Sequence, residues 1–89
     1  MDISTFQLEK IIKITAELGA VIALIRAGKL KPYLKKSEAF RLYGRSNVEH
    51  WIEEGLITPR KDGGQSASWR IDRIELESIV KSRQLLQIL

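Results

Sequence analysis

The first third of the chain shows the repeat of apolar residues that is typical of a long helix. Apolar side chains recur at Leu8, Ile11, Ile12, Leu18, Ile22 and Ile25. Ser4 and Gln7 have the spacing of a capping box, in which each side chain satisfies a backbone N–H of the first turn. Gly28 followed by Pro32 predicts the end of the helix, because glycine favours a left-handed cap and proline cannot continue the helix. The pattern therefore predicts a helix over 5–27.

Part of this helix has the spacing of a short heptad seam. The seam consists of Leu8, Ile11, Leu18, Ile22 and Ile25. Ile12 and Ile14 lie elsewhere on the same helix, and a helix that is apolar on so much of its circumference must be covered on more than one side. We therefore expect the chain to form a homodimer through the seam. The alternative is that the helix folds back onto its own domain.

Beyond the long helix the pattern changes to short elements. Ser37 is the expected N-cap of a helix over 38–43, and Gly44 ends that helix. A second capping-box spacing, Ser46–Glu49, opens another helix, which Gly55 closes. Two short helices joined by a tight, glycine-containing turn form a helix-turn-helix unit, whose second helix can lie in the major groove of DNA.

The remainder of the chain predicts a hairpin and a last helix. Residues 57–61 and 68–71 have the composition of short strands, separated by a loop that contains Asp62, Gly63 and Gly64. Asp72 is the expected cap of a helix over 73–85.

The predicted fold class is mostly α with a small β-hairpin, a winged helix-turn-helix preceded by a long N-terminal helix. Residues 1–32 form a helical arm that serves for dimerisation, and residues 33–89 form the DNA-binding domain.

The second helix of the helix-turn-helix, about 46–54, is the expected recognition helix. Val48, Trp51 and Ile52 fall on one face and predict its buried side. The candidates for contacts with base edges are Arg45, Ser46, Asn47 and His50. Asparagine can pair bidentately with adenine, and arginine with guanine. Ser46 has an alternative role as a cap only, a lone histidine is more often an ordinary surface residue, and no core role is apparent for Asn47.

The hairpin, about 58–70, is the candidate wing. Arg60 and Lys61 lead into a polar loop that contains Gln65, and such a ribbon can lie along the DNA backbone with its cations on phosphates. The alternative is an ordinary solvated hairpin, because Gly-Gly is a generic turn signal. Lys36 and Arg41 of the first short helix complete the candidate set. Trp69, like the tryptophan of the recognition helix, is expected in the core and not as a platform for stacked bases.

Composition narrows the classes of function. The formal charge of +4, from 15 basic and 11 acidic residues, moderately favours a polyanionic partner. There is no cysteine, so disulfides and cysteine-ligated zinc are excluded. With one histidine and no phosphate loop or metal-ligand spacing, we expect neither an enzyme, nor a cofactor, nor a bound metal. The longest apolar stretch, 18–25, is too short for a bilayer, so we expect a cytoplasmic protein with no membrane partner.

Several segments together resemble the excisionase-like and MerR-like winged helix-turn-helix proteins of bacteria, phages and mobile elements. The similar segments are 33–39, 45–48, 51–57 and 69–76, and the most specific pieces are Glu-Gly-Leu-Ile at 54–57 and Trp-Arg-Ile-Asp at 69–72. The resemblance implies that the four candidates above read bases. It also implies that Arg60, Lys61 and Arg70 belong to a wing that contacts phosphates.

The sequence departs from the usual family pattern in three ways, of which the first is the long N-terminal helix, which is not part of the usual module. The other two lie in the helix-turn-helix. The turn before the recognition helix is a residue or two shorter, and Glu49, Glu53 and Glu54 place acid where many relatives carry basic or aromatic residues. We expect sequence-specific binding of double-stranded DNA, as a small transcription regulator or an excisionase-like recombination factor in a bacterial or phage nucleoid. The alternative is a protein-interaction adaptor, or the small DNA-recognition subunit of a larger recombination or packaging complex.

Overall fold

A computed structural model describes residues 2–61 and 69–89 of the chain. The elements, in order, are α1 (Thr5–Arg26), β1 (Tyr33–Lys35), α2 (Lys36–Tyr43), α3 (Arg45–Glu53), β2 (Arg60–Lys61), β3 (Trp69–Asp72) and α4 (Arg73–Ile88). The described chain is mostly helical with a small antiparallel sheet, as the sequence predicts. The predicted loop with Gln65, and the predicted start of the second strand at Ser68, lie outside the described residues.

The chain divides into two compact units. The helical unit comprises Met1–Leu30 and Glu77–Leu89, and the sheet unit comprises Lys31–Leu76. The sequence placed one boundary between residues 32 and 33 and assigned all of 33–89 to a single domain. The structure instead groups the last thirteen residues with the N-terminal helix, because α4 continues well beyond the sheet unit.

The start and end of α1 follow the predicted local chemistry. The Ser4 hydroxyl accepts a hydrogen bond from the Gln7 backbone N–H at 3.1 Å, and the Gln7 side chain accepts one from the Ser4 N–H at 2.9 Å. The helix ends at Arg26 with Ala27 as its C-cap, and Gly28 follows with φ of 75°. The capping box and the glycine stop are therefore confirmed, with the end displaced by one residue.

Within the helical unit, α1 lies antiparallel to the C-terminal part of α4. The Gln7 amide donates to the Ile88 carbonyl at 3.0 Å, and Lys81 lies 2.9 Å from the Glu17 carboxylate. The hydrogen bond from Lys81 lowers the pKa of Glu17 below its ordinary value of 4.5. Ile14, which the sequence placed outside the seam, is the buried residue of α1. Four of the five seam residues, Ile11, Leu18, Ile22 and Ile25, are half-buried, so the packed face of α1 includes most of the predicted seam.

Two predicted N-caps in the sheet unit are wrong. The N-cap of α2 is Lys35, whose backbone N–H donates to the Glu38 carboxylate at 3.1 Å, so Ser37 lies inside the first turn. The N-cap of α3 is Gly44, and no side chain caps that helix. Ser46 is already inside the helix because one residue alone separates α2 from α3. The predicted ends of both helices at Gly44 and Gly55 are confirmed by their positive φ values of 92° and 75°.

The sheet has three strands in the order β1-β3-β2, and both pairs are antiparallel. The sequence predicted two strands and missed β1, a three-residue strand too short to show an alternating pattern. The predicted strand over 57–61 is confirmed only for its last two residues. Ile57, at 2% exposure, is instead a core residue outside any strand.

The core of the sheet unit lies between α2, α3 and one face of the sheet. Its buried side chains are Leu34, Ala39, Val48, Trp51, Ile57, Ile71 and Leu76. Complete burial of an aliphatic side chain such as Ile71 contributes about 1.5–3 kcal/mol. The predicted buried face of α3 is confirmed for Val48 and Trp51, while Ile52 is partly exposed. Asp72 caps α4 as predicted, accepting from the Ile74 N–H at 2.8 Å.

Candidate nucleic-acid interface

A single glycine forms the turn between α2 and α3. Gly44 has φ of 92° and ψ of 130°, a conformation that residues with a Cβ rarely adopt. Its N–H donates to the Phe40 carbonyl at 2.9 Å, and its own carbonyl accepts from the Val48 N–H at 3.1 Å. The same residue therefore ends one helix and begins the next, which fixes the angle between them.

One ion pair and one histidine–carboxylate contact lie on the outer face of α3. Arg45 contacts Glu49 at 2.9 Å, and the His50 imidazole contacts Glu54 at 2.9 Å. Both pairs have i,i+4 spacing and are largely exposed, so each contributes little to stability. The Ser46 side chain is also exposed, and it makes no hydrogen bond within the described part of the chain. The face that the sequence assigns to base edges is thus mixed in charge.

Asn47 has a structural contact that the sequence did not reveal. Its side-chain amide donates to the Tyr43 carbonyl at 3.0 Å, at the C-terminal end of α2. Asn47 lies outside the core, but this bond gives it a structural role that the sequence did not predict. Its side-chain oxygen and second amide hydrogen are not used by this bond, and these are the atoms that a bidentate contact with adenine requires.

One face of the sheet carries a row of cations. Lys35 lies directly opposite Arg70, and Arg70 lies directly opposite Arg60, so the row crosses all three strands. Leu34 and Ile71 pair on the buried face, which places the row on the opposite side. Like charges opposite each other on neighbouring strands are destabilising. Arg70 also lies 4.9 Å from the centre of the Tyr33 ring.

Trp69 lies at the edge of the sheet and not in the core. Its side chain is 42% exposed, so the prediction that it is buried is wrong. Trp69 and Ile71 lie on the same side of β3, but only Ile71 is buried. The ammonium groups of Lys36 and Lys61 lie 5.7 Å and 5.8 Å from the centre of its ring. These distances are within the range of cation–π contacts.

The sheet unit contains all of the described DNA-binding candidates. Lys36, Arg60, Lys61 and Arg70 lie on the sheet or at the start of α2, and Arg41 is exposed on α2. The base-reading candidates all lie in the first two turns of α3. Sequence reasoning missed Lys35, Tyr33 and Trp69. No local signal could have found Lys35, because the three residues of β1 are too few to show a strand pattern.

The helical unit contains an open cleft of about 390 Å³. Its walls are Lys10, Lys13, Ile14, Glu17, Gln84, Gln87 and Ile88. Among residues 2–61 and 69–89, no group of three histidine or acidic side chains could hold a metal ion. Over the same ranges, no helix combines the length and apolar character needed to cross a membrane.

Comparison with known proteins gives no evidence about the function of this chain. No protein-family model, curated protein or solved structure matches the chain.

Proposed function

We propose that this protein binds double-stranded DNA as a winged helix-turn-helix. In this proposal α3 enters the major groove, and β2 and β3 form a wing along the phosphate backbone. The observation that supports it most is the row of Lys35, Arg70 and Arg60 across the sheet. Three cations placed side by side on one exposed face give it a local positive potential, which attracts a polyanion.

The mixed charge on α3 suggests different roles for α3 and for the wing in DNA binding. Arg45 forms an ion pair with Glu49 and His50 contacts Glu54, so each must give up this contact before it contacts a base. Exposed pairs of this kind are worth under about 1 kcal/mol, so a base contact readily offsets their loss. We propose that the wing supplies most of the affinity and that the first turn of α3 supplies the choice of sequence.

Selection of bound fragments from random duplex DNA tests the proposal directly. Arg60→Ala is expected to weaken binding to all sequences about equally, because a phosphate contact carries no sequence information. Asn47→Ala is expected to change the preferred sequence, because it removes the side chain that would read one base pair. The unfolding midpoint of Asn47→Ala serves as a control for the missing hydrogen bond to Tyr43. A wild-type selection that enriches no motif contradicts sequence-specific binding.

We also propose that the chain dimerises through α1, at the exposed edge of the predicted seam around Leu8. Leu8 of this seam is 50% exposed, and Ile12 beside it is 59% exposed, so apolar surface remains uncovered along this side of the helix. A dimer that places two modules on paired half-sites would bind DNA more tightly than one module, whose recognition helix carries little net positive charge.

Leu8→Glu tests the dimer, because it places a charge in the proposed interface. We expect light scattering to report a dimer for the wild type at tens of micromolar and a monomer for Leu8→Glu. Phe6→Glu is the matched control. Phe6 is 66% exposed and lies about 200° around the helix from Leu8, so this variant is expected to stay dimeric. A wild-type monomer at these concentrations contradicts the proposal.

A protein-interaction adaptor is the second candidate function. It is favoured by Glu49, Glu53 and Glu54, which are exposed on α3 and at its C-terminal end and would repel phosphates. Recovery of a specific protein partner, together with no measurable DNA affinity at low salt, would support this function over DNA binding.

A further inference from the structure

Three elements of the sheet unit meet at the Trp69 ring. Lys36 is the first residue of α2, and Lys61 lies in β2 directly opposite Trp69 of β3. Their ammonium groups are 5.7 Å and 5.8 Å from the ring centre. Lys36, which is 33 positions before Trp69 in the sequence, and Lys61, on the neighbouring strand, therefore both contact one exposed aromatic side chain.

The two lysines share the ring and have no acidic neighbour in the described part of the chain. Neither Lys36 nor Lys61 forms an ion pair with any residue in 2–61 or 69–89. Two such ammonium groups would ordinarily extend into solvent and away from each other. The negative face of the indole offsets part of their repulsion, and each contact is worth about 0.5–1 kcal/mol at an exposed site.

We propose that Trp69 is a positioning residue for DNA, one that holds Lys36 and Lys61 together as a clamp for the phosphate backbone. This inference rests on the proposed function. A lysine that binds phosphate from a fully mobile state loses rotamer freedom, and the ring removes part of that cost in advance. The ring acts through the lysines and makes no base contact of its own.

A double-mutant cycle on DNA affinity separates positioning from folding. We expect Trp69→Leu to weaken binding of a duplex fragment by about 5- to 10-fold, the cost of ordering two side chains. Trp69→Phe keeps an aromatic face and is expected to stay within about 2-fold of wild type. In a Lys36→Gln/Lys61→Gln background, Trp69→Leu is expected to have no further effect. An equal loss in both backgrounds shows that Trp69 supports only the fold, and overturns the clamp.

Fluorescence quenching tests the arrangement without DNA. Trp51 is 4% exposed, so the emission that a soluble quencher reaches comes from Trp69. Iodide is an anion that the two ammonium groups attract, whereas acrylamide is neutral. We expect the iodide-to-acrylamide ratio of quenching constants to fall about 2-fold in Lys36→Gln/Lys61→Gln, because local positive charge is lost. Lys10→Gln/Lys13→Gln, which removes the same charge from the helical unit, is expected to leave the ratio unchanged.

The outcomes distinguish the two proposals. An unchanged ratio in Lys36→Gln/Lys61→Gln overturns the clamp, whether or not the chain binds DNA. Binding of duplex DNA by the wild type together with a silent Trp69→Leu also overturns the clamp, and leaves the proposed function in place. Absence of any salt-sensitive binding by the wild type overturns the proposed function, and with it the phosphate backbone as the ligand of these lysines.

Discussion

Replacement of Gly44 with alanine is expected to destabilise the sheet unit by about 2–4 kcal/mol. Gly44 has φ of 92° and ψ of 130°, where a Cβ atom strains the backbone. The added Cβ would also lie 3.1 Å from the Asn47 amide nitrogen. That nitrogen donates to the Tyr43 carbonyl, so a shift that relieves the crowding weakens a hydrogen bond at the end of α2.

Gly55→Ala is the matched control for this prediction. Gly55 also has a positive φ, 75°, but a Cβ there meets nothing within 4 Å. Its expected cost is the conformational part alone, about 1–2 kcal/mol. Urea denaturation followed by circular dichroism measures both variants against the wild type. Equal losses for the two variants would show that the turn between α2 and α3 has no special constraint.

The same substitution connects stability with the proposed function. The turn sets the angle between α2 and α3, and hence the direction in which Arg45 and Asn47 point. We therefore expect the Gly44→Ala chain that remains folded to bind DNA less tightly than the folded Gly55→Ala chain. A lower affinity of folded Gly44→Ala than of folded Gly55→Ala would show that DNA binding depends on the geometry of this turn and not only on the stability of the fold.

Sequence reasoning succeeded where local chemistry alone decides the structure. The capping box at Ser4 and Gln7, the aspartate cap at Asp72 and the glycine stops all depend on residues a few positions apart. Ser46 shows the limit of this approach. Its spacing to Glu49 fits a capping box, but Gly44 has already begun the helix. The capping-box spacing was present, but the one-residue turn before α3 places Ser46 inside the helix and not at its N-cap.

Features that depend on distant residues could not be predicted from the pattern. β1 becomes a strand because it pairs with β3, some 36 residues later, and its own three residues carry too little pattern. Trp69 follows the alternation that places Ile71 in the core, but it stays 42% exposed, and its ring contacts two lysine side chains. The bond from Asn47 to Tyr43 likewise depends on how closely α3 follows α2. Each of these surprises lies within the candidate interface.

Loss of three exposed cations of the sheet, Lys35 of β1 and Arg60 and Lys61 of the wing, is expected to have the largest effect on DNA binding. The variant Lys35→Gln/Arg60→Gln/Lys61→Gln removes three exposed cations of β1 and β2 and lowers the net charge from +4 to +1. Removing one phosphate-bound cation should reduce the slope of log K against log salt by about 0.9, so the slope should fall by about 2–3 for the triple variant. We expect affinity at moderate salt to fall about 100-fold, at roughly 1 kcal/mol for each cation.

A charge-matched control separates the wing from net charge. Lys10→Gln/Lys13→Gln/Lys29→Gln also reaches +1, but its lysines lie in the helical unit. We expect this variant to keep the wild-type salt slope, apart from a small uniform loss of affinity through the reduced long-range field. An equal change of slope in the two variants would show that binding responds to total charge, and would contradict a role for the wing.

Stability should move in the opposite direction from binding. Lys35 and Arg60 both lie directly opposite Arg70, so removing their charges relieves repulsion across the sheet. We expect the triple wing variant to be as stable as the wild type or more stable, by up to about 1 kcal/mol in urea denaturation. Removal of a residue kept for the fold lowers stability, whereas removal of these three should lower DNA affinity alone. A wing variant that unfolds more easily than the wild type would assign the cations to the fold and contradict their role as a phosphate-binding surface.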